Sequence, residues 1–145
     1  MNELLNMISE MELNDPCDIK DIHNIEDYIS HKLPADYVDF MQLHNGGEGP
    51  VGEYGYLAIW DTAEVIDTNI HRKYHIPIRE LFYFASDRSG MLYAYNLKTN
   101  TNCILELPED AEDYNEVKEV ASNFKEFVRY IYDIDDSDID DSEYE

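Results

Sequence analysis

Leu4, Leu5, Ile8 and Met11 recur at three- and four-residue intervals, which predicts a helix over residues 3–12. Asn14-Asp15-Pro16 ends it, because proline cannot continue the hydrogen-bond ladder. Asp18 can cap a second helix whose stripe is Ile19, Ile22, Ile25 and Ile29. Leu33-Pro34 opens a third, since proline is tolerated in a first turn, and Tyr37, Phe40, Met41 and His44 follow on one face. Asn45-Gly46-Gly47 closes it, a left-handed residue being cheapest for Gly or Asn.

After that helical third the pattern changes. Gly46, Gly47, Gly49, Gly52 and Gly55, with Pro50 among them, predict a loop feeding a strand at Tyr56–Trp60. Asp61 or Thr62 caps the next helix, which runs to about Lys73. Leu81–Ala85 and Met91–Tyr95 flank Ser86-Asp87-Arg88-Ser89-Gly90 and read as an antiparallel hairpin. A turn at 98–102 leads into a strand at Cys103–Leu107, the segment 108–116 reads as an acidic loop, and Val117–Val120 adds an edge strand. Ser122 caps a last helix with Phe124, Phe127, Val128 and Ile131 along one face. The prediction is an α+β fold, a central mostly antiparallel sheet packed against N-terminal and C-terminal helices. Residues 1–132 are read as one domain and residues 133–145 as an acidic, disordered tail.

Charge narrows the function. Against 10 Lys and Arg stand 33 Asp and Glu, a net −23. Residues 133–145 hold eight acids and no base, so residues 1–132 keep 25 acids against 10 bases, or −15. A body this negative is repelled by nucleic-acid phosphates and anionic membranes, and it steers a partner with a basic face towards itself. No apolar run reaches the roughly 20 residues of a membrane span, and acids stand at the start where a secretion signal carries lysines. The expected location is the cytoplasm. Cys17 and Cys103, far apart and in no CxxC pair, are expected as reduced, partly buried thiols.

Reactive chemistry finds little footing. His71 and His75 have zinc-pair spacing, but Arg72-Lys73-Tyr74 lies between them and no glutamate base accompanies them. There is no GxSxG elbow, and GGEGPVGEYG lacks the Gly-Lys-Ser/Thr ending of a phosphate loop. The acids from Asp136 onward resemble a calcium loop, but position six is Asp141 and the sequence stops before position twelve. Metal and cofactor are expected to be none, and catalytic residues none. The 12 tyrosines are the other compositional signal, because tyrosine buries area at low entropic cost and keeps a polar end. Tyr54, Tyr56, Tyr83, Tyr93 and Tyr95, with Glu48, Glu53, Asp61 and Asp87, are read as an acidic, aromatic surface for a protein rich in lysine and arginine.

Four blocks in order carry a family resemblance: IHNIEDYISHKLPADYVDFMQLHNGG, YLAIWDTAEVIDTN, FYFASDRSGMLYAYN and ASNFKEFVRYI. The chain resembles the SUKH superfamily over about residues 18–132. That superfamily includes fungal cell-wall assembly (glucan synthesis) regulators and bacterial immunity proteins of polymorphic toxin systems. The positions that match its pattern are Glu26, Leu33, Pro34, Asn45, Gly46, Gly47, Trp60, Asn69 and Gly90. Each of them has structural work in the domain, such as starting a helix, permitting a turn or anchoring the core. The resemblance implies a non-catalytic binding module, either an immunity protein that blocks a toxin such as a nuclease, or a regulatory scaffold of the cell-wall type.

Overall fold

Where apolar residues alternate or run together the chain builds strands, and these pair in the order in which they are made. The computed structural model describes residues 2–71, 81–97, 103–112 and 114–135. Its strands are β1 (Glu12–Leu13), β2 (Gly47–Val51), β3 (Gly55–Ile59), β4 (Leu81–Ser86), β5 (Met91–Asn96), β6 (Ile104–Pro108) and β7 (Lys118–Ala121). They form one sheet in the order β1 to β7, every neighbouring pair antiparallel. The helices are α1 (Asn2–Met7), α2 (Ile19–Ile29), α3 (Ala35–Leu43), α4 (Thr62–Ile66) and α5 (Phe124–Tyr132). A π-helical turn, Asp67–His71, continues α4. The α+β architecture with helices at both ends is as the sequence predicts. Among the described residues no helix is long and apolar enough to cross a membrane.

Every position of β4 is buried, so both sheet faces are covered there. On one face, Tyr37 of α3 stands edge-on to Phe82, Phe84 and Tyr95 at 5.6–5.8 Å between ring centres. Phe127 of α5 packs on Tyr93 at 4.9 Å and on Phe84 at 5.4 Å, and Phe124 meets Phe40 at 5.0 Å. Such pairs add about 0.5–1.5 kcal/mol each beyond the area they bury. Asp36 of α3 accepts the Phe124 N–H at 2.7 Å, so one helix caps another 88 residues away. On the other face lie Trp60 and the π-helical turn, whose Asn69 grips the backbone of Tyr83.

The family positions hold these joints. Glu26 accepts the Leu33 N–H at 2.8 Å and faces Lys32 at 3.8 Å, tying α2 to the turn before α3, where Pro34 occupies the cap. Asn45 accepts the Thr62 N–H at 3.0 Å, and Asp61 caps α4. Gly46, at φ +78°, lies against the β3–α4 junction, and Gly90 sits in the β4–β5 turn.

Several boundaries differ from expectation. The first helix, expected over residues 3–12, ends at Met7, and residues 12–13 pair with β2, giving it an outer neighbour. The glycine-rich stretch is strand β2 itself rather than a loop. Its glycines stand where β1 comes so close that a Cβ at Gly47 would collide with the Glu12 carbonyl. Asn123, not Ser122, caps α5, and Glu126 reaches back to the Ser122 N–H and hydroxyl. The strand expected at Val117–Val120 is Lys118–Ala121.

Two buried hydroxyls, those of Tyr37 and Tyr95, have no hydrogen-bond partner among the described residues. Burial pushes the ionisation of both phenols above the ordinary tyrosine range. An unpaired buried polar group costs about 1–3 kcal/mol. Tyr95→Phe is therefore expected to leave urea-unfolding stability unchanged or to raise it by up to about 1 kcal/mol, whereas a loss of that size would show that the hydroxyl is satisfied.

Candidate protein-binding site

Antiparallel pairing decides which loops share an end of the sheet. Val51 pairs with Gly55, Ala58 with Ser86, and Met91 with Pro108. The β2–β3 turn, the β4–β5 turn and the start of the β6–β7 connection therefore lie together. The last turn of α5 arrives at the same place: a Cβ at Gly52 would strike the Tyr132 carbonyl, and one at Gly55 the Ile131 carbonyl. This end carries Glu53, Asp87, Glu109, Asp110, Glu112, Glu116, Asp133 and Asp135 against Arg88 and Lys118. Ile134, just past α5, packs against the core. Residues 136–145, and with them most of the predicted tail, lie outside the described residues.

Between these elements is a cleft of about 900 Å³. Tyr54, Tyr56, Tyr93 and Tyr130 line it, with Met91 and Ile134, three acids (Asp87, Glu106 and Asp133) and one base, Lys118. Both Glu106 oxygens accept from the Tyr130 hydroxyl at 3.1 Å. The Lys118 ammonium lies 5.8 Å from the centre of the Tyr130 ring, a cation–π distance. Asp87 accepts the N–H groups of Ser89 at 2.7 Å and Met91 at 3.0 Å through one oxygen, which shapes the turn.

Beside the cleft, Tyr56 donates to Glu48 at 2.8 Å. Arg88, at φ +60°, donates to both oxygens of the same carboxylate at 3.1 and 3.3 Å and reaches Glu64 at 3.5 Å. The Arg88 hydrogen bonds, then the Tyr56 hydroxyl, hold the Glu48 carboxyl below its ordinary range, while Glu48 pushes the Tyr56 phenol up. A depressed folded-state pKa means this stabilisation is present above the ordinary glutamate pKa and is lost as pH falls through the lower folded value. In a carbon-detected NMR titration, the Glu48 carboxyl is expected to titrate below an ordinary glutamate, and Arg88→Gln to move its midpoint up.

The structure divides the nine residues read as partner-binding. Glu53, Tyr54, Tyr56 and Asp87 share the acidic end, and Glu48 joins them through Tyr56 and Arg88. Tyr93 is only 2% exposed and forms a wall of the cleft rather than a surface. Tyr83 and Tyr95, each 1% exposed, are core residues, since helices or turns cover both faces of their strands. Asp61 stands at the opposite end of β3, its carboxylate committed to the Glu64 N–H at 2.8 Å. Glu106, Lys118, Tyr130 and Asp133 escaped sequence reasoning. The signal that could have found the last two was Gly52 and Gly55, glycines in and beside a strand where another backbone approaches.

Cys17 and Cys103 are free and partly buried, and burial raises the Cys17 thiol. The side chains of His71 and His75 lie outside the described residues. No curated protein matches the chain. The family model of the SMI1 / KNR4 family (SUKH-1) matches residues 16–130, which span α2 through most of α5.

Proposed function

Because the chain belongs to the SMI1 / KNR4 family (SUKH-1), we propose that it is a non-catalytic module that works in the cytoplasm by binding another protein. Its role is that of an immunity protein, which neutralises a toxin domain by covering that domain's basic face. The observation that carries this reading is the meeting of the β2–β3 and β4–β5 turns, the acidic β6–β7 connection, the end of α5 and a tyrosine-lined cleft at one end of the sheet. A nuclease fits such a surface, because it needs a basic groove for phosphate, and carboxylates on a −15 body can occupy that groove.

The test is capture of the neighbouring gene's product, with its toxicity measured with and without this chain. Capture is expected to weaken at least ten-fold between about 50 mM and about 500 mM salt, as exposed charges are screened. A neutral partner held equally well at both concentrations would overturn the acidic mimicry. The family match also supports a regulatory scaffold of the cell-wall assembly (glucan synthesis) type, which would bind a host protein through this end. An isolated gene, with no toxin beside it, favours that second reading.

A further inference from the structure

Resting on the protein-binding reading, we infer that the cleft is the socket for one anchoring arginine or lysine side chain of the partner. The side chain enters between the β2–β3 turn and the end of α5, its stem against Tyr54 and Tyr56 and its charged head towards Asp133 and Asp87. The cleft's roughly 900 Å³ falls within the range of about 300–1,000 Å³ that accommodates a bound small molecule, enough for a long side chain with flanking backbone.

The chain's own cations display the contacts that such a guest would make. Arg88 lies against Glu48 through two hydrogen bonds next to Tyr56, and Lys118 stands over the Tyr130 ring. Carboxylate and aromatic face are thus already used at this end to hold a guanidinium and an ammonium. What remains is unused capacity. Three acids line the cleft against one base, a surplus of two negative charges. Glu106 is committed to Tyr130, and one oxygen of Asp87 to its own turn. Among the described residues nothing donates to the Asp133 carboxylate, and Tyr54 is 42% and Tyr56 39% exposed. Rigid aromatic walls beside an unpaired carboxylate suit an interface anchor, since tyrosine and arginine dominate such contacts.

The hollow on the other sheet face, about 460 Å³, has the same charge balance, Glu64, Asp67 and Glu109 against Arg88, but no tyrosine lines it and its one aromatic residue, Trp60, is buried. Arg88, which lines it, is already paired to Glu48 and Glu64.

The experiment is an amide NMR titration of the full chain with a hexa-arginine peptide, and with a hexa-citrulline peptide of the same shape and no charge. With hexa-arginine, shifts are expected to concentrate at Tyr54–Tyr56, Ser89–Met91, Lys118 and Asp133–Ile134, and with hexa-citrulline to be absent. The double variant Tyr54→Ala, Asp133→Asn, both at exposed positions, should bind about ten-fold more weakly, while Asp27→Asn with Asp39→Asn, exposed on α2 and α3, should bind as the parent does. Shifts spread evenly over the acidic surface, shifts gathered at the Glu64 hollow, or equal weakening in both double variants would each overturn the inference. The peptide needs no toxin, so localised binding with no captured partner would fault the immunity reading alone. Capture of a partner without localised peptide binding would fault the socket alone.

Discussion

Asn69→Leu is expected to lower unfolding free energy by about 3–5 kcal/mol, read as a fall in the urea midpoint at unchanged slope. The reason lies where β3 stops. Trp60 still donates to Phe84 at 3.0 Å, but the chain then turns away at Asp61 to start α4. Tyr83 is left with backbone groups facing a strand that is no longer there. The Asn69 carboxamide takes that place: it donates to the Tyr83 carbonyl at 2.7 Å, accepts the Tyr83 N–H at 2.9 Å, and donates to Val65 at 2.8 Å. One amide side chain thus acts as an extra peptide group of the sheet and fastens the π-helical turn to it. Leucine keeps the volume but strips partners from buried backbone groups. Asn69→Asp should be at least as damaging, because it removes both donations and adds a charge at a site only 4% exposed. A loss below about 1 kcal/mol for either variant would mean that water replaces the amide without cost.

Gly52→Ala is expected to cost about 2–4 kcal/mol, and it should also disturb the acidic end of the sheet. Gly52 has φ +77°, which strains any residue with a Cβ, and the added methyl would strike the Tyr132 carbonyl. Backbone stands on both sides of that contact, so relief requires α5 to lift off the β2–β3 turn. Gly90→Ala is the comparison. At φ +110° it carries strain, but nothing lies within 4 Å of its Cβ, so about 1–2 kcal/mol is expected. Because α5 supplies one wall of the cleft through Asp133 and Ile134, amide shifts at those residues should move in Gly52→Ala and stay in place in Gly90→Ala. Equal losses in the two variants would show that conformational strain alone matters at Gly52.

These variants also mark the boundary between local and distant information. Asp18, Asp61, and the apolar stripes of α2 and α5 could be read one after another, because a cap and a helical face are set within a few residues. The tyrosines could not. Alternation along β4 and β5 separates two faces but does not say whether either meets water. Here Phe82, Phe84, Tyr93 and Tyr95 lie under α3 and α5, while Tyr83 faces the π-helical side, so three of the five tyrosines expected at a surface are inside. The glycine-rich stretch misled for a related reason. Read locally, glycine signals a turn, but in β2 it signals how near β1 runs.

By itself, the sequence determined the α+β class, the starts of most helices, the family, and the strong negative charge. These follow from composition and from interactions spanning a few residues. Only the tertiary structure decided which acids stand together, that Asp61 is not among them, and that the end of α5 closes a cleft against a turn 80 residues earlier in the chain. The order of strands in a sheet sets which loops share an end. That order is fixed by long-range pairing and by packing on both faces, which no local pattern encodes.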